Sequence, residues 1–163
     1  LIDEAPELLS GNPSYDSRAN FMLTATMGLN GFISMGVDED WATHMIGHEL
    51  TALCGLDHGE TLAIVHPGVM DIMRKEKRGK LLQYARRVWN ITIENEEQAI
   101  DEAIERTENF FRSIGKKTRL SEYGIGDDVI ETIVERFKQR GWNVGEHGIV
   151  TPEKTRLILE RVK

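Results

Sequence analysis

Four of the five histidines lie within one short stretch of the chain, residues 41–67. Imidazole is the side chain most readily used as a metal ligand or proton carrier near neutral pH, so this crowding indicates chemistry. His44 and His48 are four residues apart, which on a helix places both rings on one face, within reach of a common ion or substrate. Two or three imidazoles suit zinc or ferrous iron, which need about three or four protein ligands when one position stays open for substrate.

His58 lies fourteen residues beyond His44, and a straight helix would separate them by about 21 Å. Gly55 is the usual kind of residue at a helix end, and a turn there would allow His58 to approach His44. A second interpretation is that His44 and His48 are surface or hydrogen-bonded core histidines and that His58 caps the next helix. Spacing alone leaves both interpretations open.

The sequence disfavours two other kinds of site. A zinc peptidase of the HExxH type needs a glutamate directly after its first histidine, but Met45 follows His44. Counted from His48 instead, the second histidine position is occupied by Ala52. A dinucleotide fingerprint is also missing, because the glycine pair at 124–126 lacks a third glycine and a preceding strand.

The elements that position the histidines are predicted to be helices. Apolar residues recur at helical spacing along most of the chain, and the best strand candidate, residues 147–150, is weak. Helices are predicted over about 18–30, 41–55, from 57 or 58 through 65, 80–90, 95–115, 127–141 and 151–162. The fold class is therefore all-α, and we expect one domain over residues 1–163 built as a helical bundle.

Local signals predict how several of these helices begin, end and pack. For the first long helix the expected cap is Asp16 or Ser17, with a packed face of Phe21, Met22, Ala25 and Leu29. Asp38 or Asp40 is expected to start the helix at Trp41, and Asp127 a later one. Pro67 predicts a kink or a helix that restarts after it, and His66 beside it is interpreted as structural. Thr151 followed by Pro152 predicts a helix start.

Composition is that of an ordinary globular protein and excludes several classes. With 163 residues, 40% of them hydrophobic, the chain has no apolar run long enough to cross a bilayer. A net charge of −7 argues against binding to nucleic acid. One basic cluster is expected to be a solvated helix face: Arg74, Lys75, Lys77, Arg78, Lys80, Arg86 and Arg87. The single cysteine, Cys54, is expected in the core, and its lack of a disulfide partner fits a cytoplasmic location.

The histidine stretch closely resembles a known family. Residues 40–52 and 55–65 are similar to the histidine-rich region of the iron-containing (group III) alcohol dehydrogenases, especially the branch of butanol dehydrogenases and NADPH-dependent aldehyde reductases. The similarity extends to residues 15–20, 28–31, 80–90 and 120–124, so it covers most of the chain. The resemblance implies the C-terminal helical half of the fold shared with dehydroquinate synthase. The family's N-terminal α/β half, which binds NAD(P), is not in this sequence.

The resemblance also implies roles for the three histidines. His44 and His58 match two ligands of one divalent metal, Fe²⁺ or Zn²⁺, whose other ligands in the family are an upstream aspartate and histidine. His48 matches a catalytic histidine that lies near the nicotinamide and the substrate without binding the metal. The implied reaction is hydride transfer between NAD(P)H and an alcohol/aldehyde pair, with the metal as Lewis acid. A homodimer is implied for the full-length enzyme.

Two expectations concern the chain by itself. With two of the four family ligands and no cofactor domain, it is expected to bind metal weakly and to lack dehydrogenase activity. A different interpretation is a stand-alone helical interaction module, derived from such an enzyme, that no longer catalyses. A metal-dependent hydrolase is disfavoured because the sequence shows neither a glutamate base nor a third ligand.

Overall fold

In the computed structural model, residues 1–163 form eight α-helices, two short 3₁₀ helices and no β-strand, which confirms the all-α class. The α-helices are α1 (Ala5–Leu8), α2 (Tyr15–Leu29), α3 (Ala42–Cys54), α4 (His58–Ile72), α5 (Arg78–Val88), α6 (Glu96–Ser113), α7 (Asp127–Arg140) and α8 (Pro152–Arg161). The 3₁₀ helices are Leu120–Tyr123 and Glu146–Gly148. The weak strand signal near residue 150 corresponds to a single antiparallel bridge between Val144 and Val150. The chain divides into two compact units, Leu1–Glu39 and Asp40–Lys163.

The first unit contains α1 and α2, and two predictions about α2 are wrong. Its cap is Ser14, whose side chain accepts the N–H of Ser17 at 3.1 Å, so neither Asp16 nor Ser17 is the cap. The predicted packed face is exposed: Phe21, Met22, Ala25 and Leu29. Within this unit the only other helix is the four-residue α1, which is too short to cover a 15-residue helix.

The second unit holds α3 to α8, with α4 packed against α3, α6 and α8. Its main core joins α3, α4, α7 and α8 through fully buried side chains: Ile46, Leu50, Ile64, Val65, Met73, Ile133, Phe137, Ile158 and Leu159. A second cluster joins α5 to α6: Leu81, Leu82, Ala85, Ile100, Ala103 and Ile104. Burial of the apolar groups in the main core, at about 25 cal/mol per Å², is the main force that holds α3 against α4.

Two glycines allow α4 to approach its neighbours closely. A Cβ atom on Gly47 of α3 would lie 2.8 Å from Oγ1 of Thr61 on α4. A Cβ atom on Gly68 of α4 would lie 2.7 Å from Cγ1 of Val162 and 2.9 Å from the carbonyl oxygen of Ile158. Any larger side chain at either position would overlap the facing helix, so the distances between these helices depend on both glycines.

The helix-end predictions had mixed outcomes. Helix α3 ends at Gly55, which adopts φ +70°, and α8 begins as predicted, with the side chain of Thr151 accepting a backbone N–H. The cap of α7 is Gly126, so the prediction of Asp127 is wrong. A restart after Pro67 is also wrong, because α4 continues through it. No helix combines the length and the apolar character that crossing a membrane requires.

The predicted solvated basic face is only partly correct. Lys75, Arg86 and Arg87 are exposed. Arg74, in contrast, is partly buried and pairs with carboxylates on two helices: Asp71 at 2.5 Å, Asp101 at 2.8 Å and Glu97 at 3.2 Å. Such pairing depends on the packing of α4 against α6, which the sequence does not display.

Candidate metal centre

The turn at Gly55 brings three histidines from two helices together. His44 and His48 lie one helical turn apart on α3, and His58 is the first residue of α4, directly after the turn. The ring centres of His44 and His58 are 5.2 Å apart, and those of His48 and His58 are 5.1 Å apart. The rings of His44 and His48 are 6.4 Å apart. The turn at Gly55 therefore brings His58 close to His44, as one of the two interpretations left open by the spacing requires.

The three rings differ in their surroundings. His44 is half-buried, and the ring of Trp41 packs edge-on against it at 4.8 Å, while His48 and His58 are exposed. Burial lowers the pKa of His44, and the neighbouring imidazoles of His58 and His48 lower it further. A lowered pKa leaves His44 neutral at neutral pH, which is the form that binds a metal.

His44 and His58 fit two positions of one metal ion. Two imidazoles on a tetrahedral ion have ring centres about 5 Å apart, because each metal–nitrogen bond is about 2.0–2.1 Å long. The 5.2 Å separation of this pair meets that requirement. No set of three His, Cys, Asp or Glu side chains surrounds a common point in the structure, so the residues of this chain do not by themselves complete a metal site. Imidazole binds both iron and zinc, so the two histidines do not distinguish between these metals.

A pocket of about 420 Å³ opens beside His44. Its walls are mostly apolar and come from α3, α4 and α6: Asp40, Thr43, Gly59, Leu62, Ala63, His66 and Phe111. His66, interpreted from sequence as structural, thus lines the same pocket as His44. Burial lowers the pKa of His66, and the nearby Asp40 carboxylate opposes this effect.

An ion-pair network at the start of α3 was not visible in the sequence. Asp40 accepts the N–H of Ala42 at 2.8 Å, as expected of a residue that starts a helix. The ammonium of Lys77 lies 2.5 Å from Asp40 and 3.0 Å from Glu146. Burial raises the pKa of Asp40, but the hydrogen bonds from Lys77 and Ala42 outweigh it, so the pKa lies below its usual range. Only tertiary packing brings these three segments together one turn before His44.

Cys54 and Gly124, two other residues considered from the sequence, lie in surroundings that indicate a structural role. Cys54 packs against the main core, and burial raises the pKa of its thiol, so the unreactive protonated form dominates near neutral pH. Gly124 adopts φ +70° at the end of a 3₁₀ helix, so it is part of the connection between α6 and α7 rather than of a nucleotide-binding turn. The fifth histidine, His147, has an exposed side chain 3.7 Å from the carboxylate of Glu146.

The fold is an all-α module in which the turn at Gly55 brings three histidines together. The model of the C-terminal part of the Fe-containing alcohol dehydrogenase family matches residues 1–154. The chain therefore belongs to the Fe-containing alcohol dehydrogenase family. The resemblance noted from the histidine stretch is thereby confirmed.

Individual relatives agree with this placement. The NADPH-dependent aldehyde reductase YqhD of Escherichia coli (strain K12) is 47% identical over 164 residues, which cover 100% of this chain and 42% of that protein. Its crystal structure matches 99% of the chain with a TM-score of 0.95. The NADH-dependent butanol dehydrogenase A of Thermotoga maritima matches 91% of the chain and 39% of its own, at 30% identity and a TM-score of 0.82. The chain thus spans about two fifths of the length of these relatives.

Proposed function

We propose that this chain forms the metal-binding half of an NAD(P)-dependent alcohol dehydrogenase or aldehyde reductase. The observation that carries the proposal is the 5.2 Å separation of the His44 and His58 rings, which suits two ligands of one metal ion. Relatives named as NADPH-dependent aldehyde reductase and NADH-dependent butanol dehydrogenase support hydride transfer to or from a small alcohol/aldehyde pair.

Each histidine has a separate role in this proposal. His44 and His58 would hold the ion, Fe²⁺ or Zn²⁺. When bound, such an ion supplies Lewis acidity that polarises a carbonyl oxygen or stabilises an alkoxide. His48 is exposed beside both rings and is assigned to the side of the substrate and the nicotinamide. From there its imidazole can donate a proton to the oxygen of the reduced aldehyde.

The pocket beside His44 is proposed to receive the carbon chain of the substrate. Leu62, Ala63 and Phe111 give it apolar walls, and its volume of about 420 Å³ suits a short aliphatic alcohol or aldehyde. His66 lines this pocket and would contact the chain of the substrate rather than its reacting carbon. Replacement of Phe111 by a smaller residue should therefore favour longer aldehydes.

The remaining features of the complete enzyme are also proposals. NAD(P) would be bound mainly by an N-terminal half that is not in this sequence, because the sequence shows no glycine-rich motif of the dinucleotide-binding type. A homodimer is proposed for the complete enzyme. A single, partly buried cysteine is consistent with a reducing compartment such as the cytoplasm.

A chimeric enzyme tests the proposal directly. This chain would replace the corresponding 42% of the E. coli aldehyde reductase, since the two superpose with a TM-score of 0.95. We expect the chimera to oxidise NADPH with butanal and the 163-residue chain alone to be inactive. His44→Gln and His58→Gln should each remove activity and bound metal, because each deletes a ligand.

The controls separate loss of the site from loss of the fold. His147→Asn removes an exposed histidine elsewhere, and asparagine tolerates the positive φ at this position, so activity should be unchanged. Butanal reduction by the His44→Gln chimera at the parent rate would refute the assignment of the metal site. A folded, metal-loaded chimera without any reductase activity would refute the assigned reaction.

A further inference from the structure

His66 lies between two cavities of the second unit. The pocket of about 420 Å³ beside His44 has a neighbour of about 240 Å³, whose apolar walls come from α4 and α5: Val69, Met70, Leu81 and Tyr84. Asp40, Thr43 and His66 line both cavities, so these three side chains form the wall between them. A polar group in that wall can contact a ligand in either cavity.

The imidazole of His66 has no hydrogen-bond partner within the chain. Burial and the charges of Asp40 and His44 act on its pKa, and no hydrogen bond contributes. The side-chain polar atoms that are sealed in the core without a partner belong to other residues, so the ring nitrogens of His66 face the cavities. An unpaired polar group in such surroundings is costly, and most buried polar groups in native proteins are paired. The partner of His66 must therefore be a molecule that enters a cavity.

The chemistry of the ring selects the kind of partner. Burial favours the neutral form of His66, which has one N–H donor and one acceptor nitrogen. A hydroxyl group can pair with either nitrogen, because it both donates and accepts. A carboxylate only accepts, and the negative charge of Asp40 in the same wall would repel it. A hydrocarbon chain would leave both nitrogens unpaired. A neutral hydroxyl group is thus the best match.

We propose that His66 is a specificity-determining residue that binds a hydroxyl group on the carbon chain of the substrate. The complete enzyme would then discriminate in favour of diols and hydroxyaldehydes over alcohols and aldehydes with plain hydrocarbon chains. Leu62 and Ala63 would contact the methylene groups between the hydroxyl and the reacting carbon. This inference rests on the proposed function for its reaction and extends it by naming the substrate class.

Oxidation of matched alcohols by the chimeric enzyme tests the role of His66. The pairs are 1,4-butanediol with 1-pentanol and 1,5-pentanediol with 1-hexanol, in which a hydroxyl replaces a methyl group. For at least one pair, His66→Leu should lower the ratio of kcat/KM for the diol to kcat/KM for the alcohol by about three- to tenfold, the effect of one neutral hydrogen bond. Most of the change should lie in KM, because this hydrogen bond is made before the chemical step.

Two further variants show whether the polarity of the ring is responsible. His66→Gln keeps a donor and an acceptor, so it should retain part of the preference that His66→Leu loses. His147→Asn removes an exposed histidine outside both cavities and should leave the ratio at the parent value. Circular dichroism of each variant shows whether the helices are intact.

Nuclear magnetic resonance supplies a measurement that needs no turnover. The 163-residue chain, labelled with ¹⁵N on its histidines, is titrated with the same four compounds. A diol should shift the ring nitrogen resonances of His66 more than the matched alcohol does, because only the diol carries a hydroxyl to this ring. This measurement uses the parent chain, so it does not depend on how well His66→Leu folds.

The two measurements separate this inference from the proposed function. A diol-specific shift at His66 together with a chimera that oxidises none of the alcohols would refute the reaction and leave the hydroxyl-binding role of His66 intact. An active chimera with the same diol-to-alcohol ratio in the parent and in His66→Leu, and no diol-specific shift at His66, would overturn the inference. That second result is expected if a water molecule pairs with His66 whichever compound is bound.

Discussion

Replacement of Gly47 by alanine should disturb the contact that sets His58 beside His44. The added Cβ would lie 2.8 Å from Oγ1 and 3.4 Å from Cβ of Thr61. Thr61 is fully buried, and its hydroxyl donates to the carbonyl oxygen of His58 at 2.8 Å. The methyl group must therefore either separate α3 from α4 or rotate Thr61 away from this hydrogen bond.

The close contact with Thr61 sets the size of the effect. Overpacking of a core costs about 1–3 kcal/mol, and loss of the Thr61 hydrogen bond costs about 1 kcal/mol. The better helix propensity of alanine offsets about 1 kcal/mol of this destabilisation. We expect Gly47→Ala to lower the free energy of unfolding by about 1–3 kcal/mol, and to weaken metal binding in the chimera because His58 is displaced from His44.

Urea denaturation followed by circular dichroism measures this change as a shift of the midpoint at constant m-value. Gly79→Ala is the matched control, since Gly79 is also helical but a Cβ atom added there would have no heavy atom within 4 Å, and it should be neutral or slightly stabilising. The double variant Gly47→Ala/Thr61→Ala should lose about 1 kcal/mol less unfolding free energy than the two single variants lose together, because the overlapping hydroxyl is gone. A midpoint for Gly47→Ala equal to that of Gly79→Ala would refute the reasoning.

Two further predictions concern the packing around α4 and the link between α3 and α7. Gly68→Ala should lower the free energy of unfolding by about 2 kcal/mol, because its Cβ would overlap Val162. An unchanged midpoint of urea denaturation would mean that the helices move apart without cost and would contradict this prediction. Burial raises the pKa of Glu49, but hydrogen bonds from Arg136, at 2.9 Å, and from Arg140 outweigh this, so its pKa lies below the usual 4.5. The stability from these bonds is therefore present above pH 4.5 and is lost as the pH falls through the folded pKa. Glu49→Gln should lower the free energy of unfolding by about 1–2 kcal/mol at neutral pH, and this difference from the parent chain should become smaller in acid. A difference that does not change with pH would contradict this prediction.

The predictions that succeeded rest on short-range chemistry. Gly55 ends α3 because glycine alone reaches its left-handed conformation without strain, and Thr151 with Pro152 begins α8 through local geometry. The approach of His58 to His44 follows from the turn between them. These features involve residues at most fourteen positions apart, at one helix end or on either side of one turn, so residue type and spacing were enough to indicate them.

The caps of α2 and α7 were misplaced by one to three residues. The larger failures concern which residues lie opposite one another. The apolar face of α2 is exposed because its own unit offers nothing large enough to cover it. Lys77 belongs to an ion-pair network with Asp40 and Glu146 rather than to a solvated face, since the fold brings three distant segments together. Helical periodicity identifies a face that is able to pack, but it does not identify the partner.

By itself, the sequence determined the helical class, the turn at Gly55, the grouping of three histidines and the resemblance to the iron-containing alcohol dehydrogenases. These follow from local backbone preferences and from residue types at short spacing. The tertiary structure decided that His44 and His58 lie 5.2 Å apart, that His66 lines the pocket beside them and that Gly47 and Gly68 set the distances between helices. Distances of that kind depend on side-chain volumes at contacts between remote segments, which no single stretch of sequence contains.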